Sequence, residues 1–212
     1  MSISQIPSSI RNRFDHPGLP LLITAILYSA FILLRLSYFS FDPSIFITAG
    51  DKYVNPDFLS HKIIVHEKSD GYDGQFYYRL ALDPFPSKAE DFGVRIDTPP
   101  YRHQRILYPF LVWLASFGNA EWVPFLMIAV NFAALCSIGW LGGVYSQTVN
   151  RHAMWGLSFS LYPGFLLSLA RDLTEIVGIC LLLAGLLLIR KGRQLLAAVF
   201  LAMALLAKKQ HY

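Results

Sequence analysis

The stretch 123–145, VPFLMIAVNFAALCSIGWLGGVY, carries no charged side chain and is long enough to cross a bilayer. A spanning helix needs about 20 mainly apolar residues, because the hydrocarbon core is about 30 Å thick and each residue rises about 1.5 Å. This run places the chain in the membrane class before any finer reading. Composition agrees: 15% of the residues are charged and the mean hydropathy is +0.43, whereas a soluble domain carries about 25% charged residues. No basic stripe is present, so nucleic acid is not an expected partner. Cys136 and Cys180 both lie in apolar runs and read as small buried hydrophobes, not as a disulfide framework.

Four more apolar segments, 19–38, 152–170, 172–190 and 195–207, bring the expected crossings to five. The first is too long for the apolar region of a cleavable signal, about 7–15 residues, and no small-residue cleavage site follows it. Arg35, near its end, is expected to snorkel to the interface. Segment 106–117 is apolar but short, and Pro109 interrupts it, so it reads as re-entrant or juxtamembrane. The expected fold class is an all-α polytopic membrane protein of about five transmembrane helices, with a large outer loop carrying juxtamembrane helices. Its expected divisions are a cytoplasmic N-terminus (1–18), a first transmembrane helix (19–38), an extracytoplasmic loop (39–121) and a transmembrane helical region (122–212).

Orientation follows from Lys and Arg in the short connections. Arg11 and Arg13 put the N-terminus in the cytoplasm, and Arg190-Lys191-Gly192-Arg193 falls on the same side if 106–117 does not cross. The expected location is the inner (plasma) membrane, multi-pass, with the long loop outside.

That loop holds the charge. Ten of the fourteen acids lie between Phe39 and Arg105. Tyr72, Phe76, Tyr77 and Leu80 recur at helical spacing, which predicts a helix over 69–82. Asp83-Pro84 ends it, because the residue before proline is driven from the α region. Asp51 is a second acid near the membrane. Arg102, His103 and Arg105 arrive from the loop's far end. A second charged spot is Arg171-Asp172-Leu173-Thr174-Glu175. Glu175 lies just inside a helix mouth. An acid at that depth is costly and so points to function, while the bland reading is an acid complementing the helix dipole with Asp172 as the cap. His61 and His66, five apart, do not share a helix face, and no metal site is assigned.

The ordered set Asp73-Gly74-Gln75-Phe76-Tyr77, then Arg105-Ile106-Leu107-Tyr108-Pro109, then Leu173-Thr174-Glu175 resembles the GT-C superfamily of membrane glycosyltransferases. These polytopic enzymes use sugars linked to polyprenyl phosphate; aminoarabinose and mannosyl transferases are among them. The resemblance covers most of the chain. It implies a first helix, a large outer loop with an acidic motif, a Pro-containing juxtamembrane helix and a later outer-face acid. It implies transfer of a sugar from a polyprenyl-phosphate donor to an acceptor outside the membrane. Relatives run longer, with more crossings, so the chain is expected to be the N-terminal part of such an enzyme. The alternative is a non-catalytic, truncated membrane protein that binds lipid or a partner enzyme.

Glycosyl transfer from a lipid phosphate needs a base for the acceptor's proton, a cation for the leaving phosphate and a dry groove for the lipid. Asp73 is the expected base and Glu175 the second catalytic acid, since a carboxylate beside apolar surface can be tuned toward neutrality. Arg102 and Arg105 suit phosphate, which arginine pairs bidentately. Asp51, Tyr77, His103 and Arg171 complete the expected substrate-binding set. Tyr77 and its aromatic neighbours can stack on a sugar or form an interfacial belt. The resemblance allows a divalent ion, Mg or Mn, at the loop acid. The expected partners are the polyprenyl-phosphate-linked sugar and membrane lipid.

Overall fold

The computed structural model describes residues 15–207, and most of them are helical. The segments 1–14 and 208–212, with Arg11, Arg13, Lys208 and Lys209, lie outside the described residues. Two helices dominate: α1 (Gly18–Tyr38) and, after the loop, the long Val123–Thr148 helix, α5. They pack along their lengths. Gly139 of α5 permits the contact, because a Cβ there would sit 2.7 Å from Thr24 Oγ1 and 3.1 Å from the Pro20 carbonyl. α1 carries one charge, Arg35, in its last turn. At the end of α1, Arg35 turns toward the loop, donates to the Ile45 carbonyl (3.2 Å) and lies 5.1 Å from the Phe46 ring centre.

Gly18–Tyr38 and Ala120–Thr148 are long and apolar enough to cross a membrane. Ala153–Ser160 and Gly164–Ala170 make a third crossing if they act as one span, bent by 56°. Within that pair lie α6 (Leu157–Ser160) and α7 (Gly164–Ala170). Then come α8 (Glu175–Arg190), of 16 residues, and α9 (Gln194–Leu205), of 12. Both fall short of the roughly 20 residues that span hydrocarbon. The described residues therefore hold two or three helices of spanning length, not the expected five. The physical cause of the bend is Pro163-Gly164, which stops one helix and starts the next. Backbone groups freed there need partners, because hydrocarbon offers none. Tyr28 donates to the Ser160 carbonyl (2.8 Å), and the Ser160 and Thr24 hydroxyls lie 2.7 Å apart.

The loop is not wholly helical. It folds as a small layer of α2 (Gly74–Leu82), α3 (Pro99–His103) and α4 (Leu107–Ser116). A parallel pair, β1 (Ala49–Gly50) with β2 (Val65–His66), and an antiparallel hairpin, β3 (Glu90–Asp91) with β4 (Val94–Arg95), complete it. The expected 69–82 helix begins late, at Gly74, because Gly71 takes φ +62° and turns the chain. Its end at Asp83, ahead of Pro84, is as expected. α4 turns 106–117 into a ten-residue helix, too short to cross.

α2 is buried from Gly74 to Ala81. Tyr77 and Tyr78 of α2, Tyr108 and Val112 of α4, Val123 and Met127 of α5 and Val177 of α8 share one apolar core. Burying each such side chain contributes on the order of 1.5–3 kcal/mol, so the loop layer is bound to the helices rather than draped over them. Arg79 is also fully buried. Its guanidinium lies 4.9 Å from the Phe92 ring centre, 3.7 Å from Asp83 and 4.0 Å from Asp91, and ties the hairpin to α2.

Candidate active site

The first turn of α2 meets α3 and the start of α8, and charged groups from all three join in a chain. Arg102 grips Asp97 with two bonds, Nε to Oδ1 at 2.8 Å and Nη2 to Oδ2 at 2.7 Å. Its Nη1 reaches Asp73 Oδ1 at 2.8 Å. Arg105 stands on the other side of Asp73, with Nη1 3.5 Å from Oδ2. The same Nη1 donates to the Tyr77 hydroxyl (2.6 Å) and lies 3.7 Å from Glu175 Oε1. The order is Asp97, Arg102, Asp73, Arg105, Glu175. Both arginines are buried, but water reaches the acids: the Asp73 side chain is 30% exposed and that of Glu175 is 42% exposed.

The local sequence explains the placement. Thr98-Pro99-Pro100 starts α3, since proline is tolerated in a first helical turn. α3 then lifts Arg102 over the Phe76 ring, 4.2 Å from its centre, and the Tyr101 ring packs near both guanidiniums. Gly74 is required next to Asp73, because a Cβ there would run into the Arg171 and Ile47 carbonyls. That close approach brings the α7–α8 turn, and with it Glu175, to Asp73. Asp73 is the residue before α2 but makes no side-chain cap bond, since its carboxylate goes to the arginines.

The two arginines differ. Burial works against the Arg102 charge, yet Asp97 and Asp73 outweigh it and hold the guanidinium more firmly protonated than usual. Asp97, bonded by Arg102, is held below the usual carboxylate range. Arg102 is thus committed to its acids, with contacts of 2.7–2.8 Å. Arg105 has a short bond only to neutral Tyr77; its acid contacts are long. Burial pushes the Tyr77 hydroxyl up to about 12, so it stays a neutral phenol.

The expected site residues separate accordingly. Asp73, Tyr77, Arg102, Arg105 and Glu175 converge. Tyr77 is fully buried, so it supports Arg105 and offers no face to a sugar. Arg171 lies at the edge, 4.2 Å from the ring centre of half-exposed Tyr72. Asp51 is elsewhere: its carboxylate accepts from the Lys68 and Ser69 amides (2.7 and 3.0 Å), which holds it below the usual range and makes it a turn clamp. The His103 ring pairs with the Pro99 carbonyl (2.7 Å) inside its own helix. Asp172 does not cap α8; Thr174 stands at that position and Asp172 is fully buried. The sequence reading missed Asp97 as a site residue. The signal was the Asp–Thr–Pro–Pro start of α3, which puts Asp97 beside a last-turn arginine.

Glu175 also lines a groove of about 300 Å³ between α8 and α9, with Gly178, Ile179, Leu182, Leu201, Ala204 and Leu205. The groove is apolar apart from that carboxylate, whose Oε2 has no hydrogen-bond partner. For a divalent ion, the described residues present no group of three or more His, Cys, Asp or Glu side chains able to hold one. No family model matches the chain, and neither does any curated protein or solved structure.

Proposed function

We propose that the chain is a membrane glycosyltransferase, or the N-terminal part of one, that moves a sugar from a polyprenyl-phosphate donor to an acceptor hydroxyl on the outer face of the inner membrane. The observation that carries this reading is Arg105: a buried guanidinium loosely shared by two partly exposed acids, one of which, Glu175, lines an apolar groove. A lipid phosphate fits both halves of that arrangement. Its chain lies in the groove and its phosphate takes Arg105 bidentately, the geometry arginine favours.

The chemistry follows from the distances. Phosphate binding displaces the 3.5 and 3.7 Å contacts of Arg105 and leaves Asp73 on Arg102 alone. Asp73 or Glu175 then accepts the acceptor's hydroxyl proton. The acceptor oxygen bonds to the anomeric carbon as the bond from that carbon to the phosphate oxygen breaks. Polyprenyl phosphate leaves with the electron pair, and Arg105 balances its charge. Arg102 positions Asp73 and does not touch the donor, a narrower role than the sequence suggested.

The second reading, a non-catalytic membrane protein that binds lipid or a partner enzyme, draws on the same groove and needs no base. The two separate in one experiment. The chain in lipid nanodiscs is given a polyprenyl-phosphate sugar and an acceptor pool, and released polyprenyl phosphate is measured beside thermal stabilisation by the lipid. Release that Arg105→Gln abolishes supports the transferase. Stabilisation by the lipid without release shows that this chain does not transfer sugar by itself and favours the binding protein.

A further inference from the structure

Behind the charged chain lies an acid that the transfer chemistry does not use. Asp172 is fully buried in the turn between α7 and α8, with φ +48°. Tyr108 and Asn131 stand within reach of the carboxyl group, but neither places a well-directed hydrogen bond on either carboxyl oxygen. Its polar neighbours are Tyr108 of α4 and Asn131 of α5, both fully buried. Their donors are already spent. The Tyr108 hydroxyl donates to the Met127 carbonyl (3.0 Å), and the Asn131 amide donates to Tyr108 Oη and to the Leu173 carbonyl (both 3.1 Å). Asn131 Oδ1 is left without a donor as well. The cluster therefore has three buried acceptor atoms and no free N–H or O–H between Tyr108 and Asn131. The charged and titratable groups around it are Tyr108, Arg35 of α1, Arg171 beside it and Glu175 further along the turn. Arg35 directs Nη2 to the Ile45 carbonyl and makes no ion pair with Asp172.

An ionised carboxylate in this setting would be a buried charge with no well-directed donor, which burial strongly disfavours. A neutral carboxylic acid carries its own O–H into a cluster short of donors. We propose that Asp172 is a buried single-proton site, held as the neutral acid, and that its proton seats the turn that places Arg171 and Glu175 against the start of α2. Asp172 is then a positioning residue: the Arg171 carbonyl abuts Gly74, so any shift of this turn moves Glu175 relative to Asp73. Burial pushes the acid well above the usual carboxylate range, against the weaker pull of Tyr108, Arg35 and Asn131. With the folded value above the unfolded one of about 3.9, the proton's contribution to stability is full below about pH 3.9. It declines as pH rises toward the folded value.

The test needs no enzyme assay and stands whether or not the chain transfers sugar. Infrared spectra of the full chain in lipid, with carboxyl-labelled aspartate, report a protonated aspartate directly. The expected result is a protonated-carboxyl band at neutral pH that Asp172→Asn removes. Thermal unfolding is followed from about pH 5 to about pH 8. Wild type should lose stability across that range relative to Asp172→Asn, since asparagine mimics the neutral acid and tolerates positive φ. No protonated aspartate at neutral pH overturns the proposal. So does a sodium-dependent rise in the melting temperature of wild type alone, which would mean that the ionised carboxylate holds a cation.

Discussion

The loop layer and the helix layer meet at residues 171–175 and treat polar groups in opposite ways. In the loop layer and at its edge on α8, three acids and two arginines from Asp97 to Glu175 alternate in a chain of ion pairs. In the helix layer, and where α4 packs on it, neutral groups pair: Thr24 and Tyr28 with Ser160, and Asn131 with Tyr108 of α4. Water accounts for the contrast. Asp73 and Glu175 keep part of their hydration, so pairing them with arginine costs modest desolvation. Ser160 and Asn131 keep none, and there a charge without a partner costs far more than a neutral hydrogen bond. Ion pairs that are half wet can be exchanged for a ligand; dry neutral bonds hold a fold.

The comparison breaks most clearly on function. On the proposed transfer reading with Asp73 as the base, Asp73→Asn should lower transfer about 10²–10⁴-fold, the usual cost of losing a general base, while Asp51→Asn, at the turn clamp, should leave the rate near normal. Rates measured for both in the same lipid settle which acid acts; a normal rate for Asp73→Asn with a lost rate for Asp51→Asn would move the site out of the charged chain.

Next in size is the division between the arginines. Arg102→Gln leaves Asp97 and Asp73 without their short partners and should destabilise the fold by about 3 kcal/mol. Arg105→Gln, whose acid contacts are long, should cost clearly less while removing transfer. Thermal unfolding of the two variants side by side reads the difference. Equal losses of stability would mean that Arg105 is as structural as Arg102.

In the helix layer, Tyr28→Phe removes a single neutral bond and leaves the Ser160 carbonyl unpaired at the helix break. About 1–2 kcal/mol of stability should go, with no dependence on pH. A pH-dependent loss would contradict the neutral character of that layer.

The smallest effect is acid sensitivity confined to the loop. Asp97 is held below its unfolded value, so its contribution is present above about pH 4 and disappears as pH falls through the depressed folded value. Wild type should therefore lose stability in acid, and Asp97→Asn should lose part of that slope. An unchanged slope would show that Arg102 does not stabilise the folded state through Asp97.

Much of this was legible in the chain, and the reasons differ by region. The runs at 18–38 and 123–148 are apolar over most of their length, so hydropathy alone marks them as helices able to cross a membrane. The Asp83-Pro84 stop of α2 is equally local. Asp73, Arg102, Arg105 and Glu175 stood out as charges beside apolar segments, and they do converge. Asp51 and His103 stood out by the same rule and do not join them, because their partners are the amides of 68 and 69 and the carbonyl of 99. A residue type at the edge of a membrane segment says that a charge will be near the surface. It does not say which neighbour takes it.

The sequence by itself determined the two long apolar helices and the stock of charged groups, because those follow from local hydropathy, proline positions and side-chain chemistry. Only the tertiary structure decided that α8 is short, that the 152–170 segment bends by 56°, that Tyr77 is a buried prop, and that Asp172 is sealed from water while Glu175, three residues on, stays partly wet. Those outcomes depend on contacts between residues far apart in the chain, such as Gly74 against Arg171 and Asn131 against Leu173. Burial is a property of such contacts, and burial is what turns an acid from a surface charge into a site.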